Sequence, residues 1–102
     1  MINIHISPKA ISDMTEIKDY ISEELSNRSA AIKLLKDIYS QIAHLQNFPL
    51  VGTPLFSKLE VENNYRFLVV KNYMVFYRFE VDSVYVIRIL YGKSNYMKIL
   101  FE

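Results

Sequence analysis

Three arginines lie in an apolar stretch of the C-terminal half, and they are the residues best suited to chemistry. Residues 65–92 read YRFLVVKNYMVFYRFEVDSVYVIRILYG and contain Arg66, Arg78 and Arg88. A guanidinium is costly to bury alone, so each must face water, pair with a carboxylate or bind an anionic ligand. The tyrosines around them could stack on nucleic-acid bases, although such residues more often pack in a core or on a sheet surface. The stretch therefore predicts an anion- or target-binding surface.

The composition is typical of a globular protein and excludes several kinds of site. The 102 residues are 51% apolar, carry a net charge of +1 and include no cysteine. We therefore expect one domain over residues 1–102, without disulfides or thiolate chemistry. No apolar run approaches the length of a membrane span and no signal-type start is visible, which favours a cytoplasmic protein. Metal-ligand spacing and Gly-rich phosphate loops are absent from the sequence, so we expect no metal and no cofactor.

The N-terminal half predicts one strand followed by two helices. Residues 2–7 alternate between apolar and polar, as in a half-buried strand, and Ser7-Pro8 is typical of a helix start. Apolar residues recur at helical spacing over about residues 8–25 and again over about 28–46. Because only Ser26-Asn27 separates the two patterns, we expect an antiparallel helical hairpin. The acidic residues of the first helix, Asp13 among them, are interpreted as a solvated face with a Lys9–Asp13 pair.

The C-terminal half predicts three antiparallel strands over residues 65–70, 73–80 and 83–91. These runs are rich in aromatic and β-branched residues, and Lys71-Asn72 and Val81-Asp82 form two-residue turns between them. With the N-terminal strand they give an α+β fold, in which a small antiparallel β-sheet carries a two-helix hairpin packed on one face. The apolar residues at the end of the chain either pack against the sheet or bind a partner.

The turns also predict the register of the strands, because side chains alternate with a period of two. Arg66 is expected opposite Tyr77, and Val75 opposite Arg88. We expect the helices to cover the more apolar face, which carries Tyr65, Phe67, Val69, Met74, Phe76, Ile87 and Ile89. The other face then presents Arg66, Tyr77 and Arg88 together.

The element order and two motifs resemble the RelE/ParE superfamily of bacterial type II toxins. The first motif is RFLVVKNYMVFYR at residues 66–78, and the second is VIRILYGK at residues 86–93. The resemblance covers the chain in length and element order, while its specific part lies within residues 65–96. It implies a growth-inhibiting toxin, of the kind used in plasmid stabilisation, that a cognate antitoxin protein holds inactive.

The resemblance leaves the target open. ParE-like members inhibit DNA gyrase, whereas RelE-like members cut mRNA on the ribosome. RelE-like ribonucleases carry basic residues where this chain has Met74 and Ser94, and the spacing from Arg66 to Tyr73 is closer to ParE. We therefore favour ParE-like inhibition of DNA gyrase. A RelE-like ribosome-associated mRNA endoribonuclease, independent of metal, is the alternative, and a degenerate toxin that only binds its antitoxin is a third.

A ribonuclease would need a base, an acid and cations around the scissile phosphate. Histidine usually transfers these protons, but the chain has none after His44. Glu60, Glu62 and the tyrosines remain as proton carriers. If the chain is a ribonuclease, the catalytic candidates are Arg66, Arg88, Tyr77 and Tyr91. For anion or target binding the candidates are Arg66, Arg78, Arg88, Lys93 and Tyr96. His5 and His44 are interpreted as surface residues.

Overall fold

One five-stranded sheet separates two helical layers, as described from a computed structural model that covers residues 2–55 and 64–101. A π-helical turn, Tyr20–Glu24, continues the first helix. The elements in chain order are β1 (Asn3–Ile6), α1 (Pro8–Asp19), α2 (Arg28–His44), β2 (Thr53–Pro54), β3 (Tyr65–Val70), β4 (Tyr73–Glu80), β5 (Ser83–Tyr91) and α3 (Tyr96–Phe101). The predicted α+β fold is confirmed, and the three C-terminal strands have the predicted bounds.

The sheet is mixed, so the expectation of an antiparallel sheet was wrong for the N-terminal strand. The strand order is β1-β5-β4-β3-β2, and β1 runs parallel to β5. The short strand β2, which was not predicted, pairs with β3. Alternation of side chains is the same in parallel and antiparallel strands, so the pattern at residues 2–7 could not indicate the direction of pairing.

The register prediction is confirmed for the first hairpin and fails halfway along the second. Arg66 lies opposite Tyr77, and Tyr77 lies opposite Val86, as predicted. Beyond that point the pairing shifts by one residue, and Phe76 is the partner of Arg88. The strand β5 therefore has one extra residue, Ile87, in a β-bulge. Period-two counting cannot foresee such an insertion.

The helical hairpin covers the face opposite to the one we expected. Residues of α1 and α2 form one core with Val75, Tyr77, Val84, Val86 and Ile89 of the sheet. The other face, which carries Phe67, Met74 and Phe76, is covered by the C-terminal helix α3 through Tyr96, Met97 and Leu100. Helices cover both faces of the sheet, so both faces are apolar. A comparison of their apolarity therefore could not predict which face the hairpin covers. The apolar end of the chain packs against the sheet.

The start of α1 is also an anchor for the edge of the sheet. The hydroxyl of Ser7 accepts a hydrogen bond from the amide of Ala10 and donates one to the carbonyl of Ile87. Pro8 occupies the first helical position, as predicted. The N-cap side chain thus fixes α1 beside β5 where β1 ends.

Candidate functional site

Arg66 and Tyr77 form the predicted cross-strand pair, but both side chains hold a loop of their own chain. The guanidinium of Arg66 donates to the carbonyls of Leu50 (3.1 Å) and Gly52 (2.8 Å). The hydroxyl of Tyr77 donates to the carbonyl of Pro49 (2.8 Å) and accepts from the amide of Gly52 (2.9 Å). The loop before β2 is therefore closed onto the sheet by this pair.

Tyr77 is fully buried, and its environment makes its hydroxyl a weaker acid than that of an exposed tyrosine. Burial raises the pKa of Tyr77, while the hydrogen bond from Gly52 and the positive charge of Arg66 oppose that rise. Close packing explains why Gly52 has no side chain. A Cβ atom there would lie 2.6 Å from the Tyr77 hydroxyl and 2.9 Å from the carbonyl of Phe67.

Arg88 is bound to Asp13 of α1. Its Nε and one terminal nitrogen each donate to the Asp13 carboxylate at 2.8 Å, and the amide of Ile89 donates to the same carboxylate at 2.9 Å. The hydrogen bond to Asp13 raises the pKa of Arg88, so this side chain stays charged. The bidentate geometry is that of a strong charge-assisted pair. The arginine is therefore neutralised within the fold.

Asp13 was interpreted wrongly as a solvated residue paired with Lys9, and it is instead buried. A usable signal was present in the sequence. Asp13 follows Ala10 by three residues and precedes Ile17 by four, so it lies on the apolar stripe of α1. A carboxylate on such a stripe needs a cation, and Arg88 supplies it.

Arg78 lies on the opposite face of β4 from Tyr77 and is less committed than the other two arginines. Its guanidinium carbon lies 4.9 Å from the centre of the Tyr85 ring, and a terminal nitrogen lies 4.0 Å from a carboxylate oxygen of Glu80. The Nε atom of Arg78 is buried and has no hydrogen-bond partner within residues 2–55 and 64–101. The ring of His5 stacks on Tyr85 with the ring centres 5.0 Å apart.

The remaining predicted site residues lie apart from the three arginines. Lys93 is exposed and lines a small cleft with Lys71 and Tyr91. Tyr96 packs its ring 5.3 Å from Phe76 under α3. Glu60 and Glu62 lie outside the described residues. The predicted site residues therefore do not form one cluster, and their binding of anions or of a target stays a prediction.

A groove that sequence reasoning missed runs between the helical hairpin and the end of the sheet. Two adjoining clefts of about 480 and 470 Å³ share Tyr20, Tyr73 and Tyr91, and we call them together the tyrosine groove. Burial raises the pKa of Tyr73, and the neighbouring tyrosines add to the rise. Tyr20 stands in the rare π-helical turn, an irregularity that is frequent at functional sites. The groove could not be predicted from the sequence, because Tyr20, Tyr73 and Tyr91 come from three different elements.

In the part of the chain that the structure describes, no group of three or more histidine or carboxylate side chains is placed to hold a metal ion. None of the helices in residues 2–55 and 64–101 has the length and apolarity required to cross a membrane.

Comparisons with known proteins identify the family and the fold of the chain. A family model described as the ParE toxin of type II toxin–antitoxin system, parDE, matches residues 4–96. A solved structure titled "Chromosomal ParDE TA system from P. aeruginosa" is similar with a TM-score of 0.75 and 22% identity, and the match covers 91% of this chain and 98% of that chain. At that identity the likeness establishes the fold. The comparison with curated proteins gives no match.

Proposed function

We propose, on the premise that this chain belongs to the ParE toxin family of type II toxin–antitoxin systems, that it arrests growth as a protein inhibitor of DNA gyrase. A cognate antitoxin is its neutralising partner. The chain acts by binding, and a ribonuclease activity is the reading we set against it.

The commitment of Arg66, Tyr77 and Arg88 to bonds within the fold carries the proposal. RNA cleavage requires cations that can reach a phosphate and groups that can exchange protons near neutral pH. The guanidinium of Arg66 serves two loop carbonyls, and that of Arg88 serves Asp13. Burial raises the pKa of Tyr77, which makes its hydroxyl a poor proton donor at neutral pH. A protein inhibitor needs none of these groups to be free.

The tyrosine groove supports a helical segment of the antitoxin as the bound partner. Its walls include exposed apolar side chains, of which Tyr20 is 53% and Leu25 is 57% accessible. Lys33 and Lys71 line the cleft that also holds Leu25, and no carboxylate is among the described residues lining that cleft. Asp13 and Glu16 line the adjoining cleft of the groove. This combination fits an amphipathic helix with acidic residues beside its apolar stripe, and segments of this kind commonly fold on binding.

The experiment that tests the target is a supercoiling assay with purified chain, gyrase, ATP and relaxed plasmid. We expect supercoiling to stop as the chain is added and to resume when the antitoxin is present. A parallel translation reaction, in which mRNA length is followed, should show intact mRNA. Unimpeded supercoiling together with cut mRNA would replace this proposal with the ribonuclease reading. If both reactions proceed normally, the chain is a degenerate toxin.

A matched pair of variants tests the antitoxin surface. Tyr20→Asp places a charge in the tyrosine groove, and we expect it to weaken antitoxin binding about tenfold or more while growth arrest is kept. Tyr39→Asp is the control, because Tyr39 is similarly exposed at 48% and does not line the groove. Equal losses in the two variants, or none in either, would place the antitoxin elsewhere. The measurement is calorimetric titration with the antitoxin.

A further inference from the structure

A row of side chains crosses four neighbouring strands on the face opposite the helical hairpin. His5 of β1 is paired with Tyr85 of β5, Tyr85 with Arg78 of β4, and Arg78 with Tyr65 of β3. Each strand therefore contributes one residue at the same level, and we call these four residues the cross-sheet row. The sequence neighbours of Tyr85 and Arg78 point into the hairpin core, so the row itself faces away from it.

The planar groups of three residues of the row, His5, Tyr85 and Arg78, are stacked on one another. The ring of the fourth, Tyr65, contacts Phe101 of α3 edge-on at 5.5 Å. The His5 ring lies nearly parallel to the Tyr85 ring, with an angle of 14° and centres 5.0 Å apart. The Arg78 guanidinium covers the same ring from 4.9 Å. Both faces of Tyr85 are thus in contact, while His5 is exposed at the edge strand and can accept a further planar group. The Arg78 side chain is 39% exposed although its Nε is buried, so an acceptor would reach the guanidinium at its terminal nitrogens.

The charge of Arg78 is poorly compensated. Its carboxylate neighbour Glu80 is 4.0 Å away, and the two side chains are 39% and 41% exposed. An exposed pair at that distance contributes little. The buried Nε–H of Arg78 has no acceptor among the residues that the structure describes, in contrast to Arg88, whose Nε lies 2.8 Å from its carboxylate partner. Arg78 therefore retains the capacity to bind an anion.

A cleft of about 480 Å³ opens beside the row. Its lining combines His5, Tyr85 and Arg78 with apolar surface from Pro8 and Ile87. Arg78 is the one permanent charge among the described residues that line it, and that charge is positive. The volume lies within the range of small-ligand sites, roughly 300 to 1,000 Å³.

We propose that the cross-sheet row and its cleft bind a nucleotide unit, with the base against His5 and the apolar floor and the phosphate on Arg78. A guanidinium fork is suited to phosphate, and histidine is among the side chains on which bases stack. Rows of aromatic and cationic residues across a sheet bind single strands in this manner. Both a free nucleotide and a single strand of DNA or RNA present this chemistry. The inference does not rest on gyrase as the target.

Fluorescence anisotropy with labelled single strands of DNA and RNA, twelve nucleotides long, tests the proposal on the purified chain. We expect saturable binding that Arg78→Gln weakens about tenfold, with a salt dependence reduced by about one phosphate contact. His5→Ala should also weaken binding about tenfold through lost stacking. Competition with AMP separates the sources, since effective competition indicates a free nucleotide and its failure indicates a single strand.

Arg28→Gln is the matched control, because it removes the same charge from an exposed residue at the start of α2, away from the cleft. It should change affinity less than twofold. Arg78→Lys keeps the charge and loses the fork, so it should retain the salt dependence and weaken binding only partly. Absence of binding to strands and to AMP at millimolar concentration would overturn the proposal. Equal losses in Arg28→Gln and Arg78→Gln, or NMR shifts on binding that avoid His5 and Tyr85, would also overturn it.

Discussion

Arg88 and Arg78 lie on adjacent strands of the same sheet, yet their surroundings differ. Arg88 holds a buried carboxylate with two hydrogen bonds of 2.8 Å and has a side chain only 21% exposed. Arg78 has a carboxylate at 4.0 Å, a buried Nε–H without an acceptor and a ring beneath it. The first arginine is a structural element of the fold, and the second is the one that we propose binds a ligand. Residue type alone does not separate the two roles.

The strongest test of the comparison removes the partner of Arg88. Asp13→Ala leaves the partly buried guanidinium of Arg88 and the buried amide of Ile89 without their acceptor, so we expect the free energy of unfolding to fall by about 3 kcal/mol. Urea denaturation measures this loss. Asp19→Ala is the control, because its pair with Lys18 is exposed at 3.9 Å and should contribute less than about 0.5 kcal/mol. Adding Arg88→Met to Asp13→Ala should recover part of the lost stability, because the unpaired charge is then removed. If Asp13→Ala costs no more than Asp19→Ala, Arg88 does not stabilise the fold through Asp13.

The second test concerns the loop that Arg66 and Tyr77 hold. Gly52→Ala introduces a Cβ that collides with the Tyr77 ring and the backbone of Phe67, so we expect a loss of about 2 kcal/mol. Gly92→Ala is the matched control, since its Cβ would lie 3.2 Å from the nearest atom, the carbonyl oxygen of Asn72, and should cost less. Thermal unfolding of both variants checks the order. The reverse order would show that the loop yields easily and that Arg66 is free to move.

The third test is the dependence of stability on alkaline pH. Burial raises the pKa of both Tyr73 and Tyr77 above the ordinary tyrosine value of 10.0. Between pH 10 and the raised pKa values, the unfolded chain loses protons that the folded chain retains. The contribution of these tyrosines to the free energy of unfolding is therefore fully present below pH 10 and is lost as the pH rises. Tyr77→Phe should show a shallower fall above pH 10, although it is less stable at neutral pH. An identical slope in the variant and the natural chain would contradict the buried role of Tyr77.

The smallest expected effect is that of Arg78→Gln on stability. Its exposed contacts with Glu80 and Tyr85 predict a loss of about 1 kcal/mol or less. Urea denaturation beside Arg88→Gln, which leaves Asp13 buried without its cation, gives the direct comparison. Similar losses in the two variants would mean that Arg78 is also a structural residue, and the ligand-binding role would then lose its basis.

Much of the fold was predictable because local patterns determine it. The Ser7-Pro8 helix start, the break at Ser26-Asn27 and the strand bounds follow from capping, helical periodicity and two-residue turns. The pairing of Arg66 with Tyr77 followed from the first turn by counting. The family resemblance, read from residues 65–96, was confirmed by the family match over residues 4–96.

The predictions that were wrong, the strand partner of Arg88 and the exposure of Asp13, depended on residues distant in sequence. The bulge at Ile87 shifts Arg88 by one position, and Asp13, seventy-five residues earlier, then receives its guanidinium. The carbonyls that accept hydrogen bonds from Arg66 belong to a loop, and a loop has no periodic sequence pattern from which its path could be predicted. The tyrosine groove likewise combines a helix residue with residues of two strands.

The sequence by itself determined the elements, their order and the family, because propensity, capping and turn chemistry act within a few residues. Tertiary structure decided which face of the sheet the hairpin covers, how β1 pairs and which arginine is neutralised. These outcomes follow from the packing of two helical layers and from a single inserted residue in β5. A guanidinium has the same chemistry at residue 78 as at residue 88, and only the element packed against it decides whether that chemistry is already used.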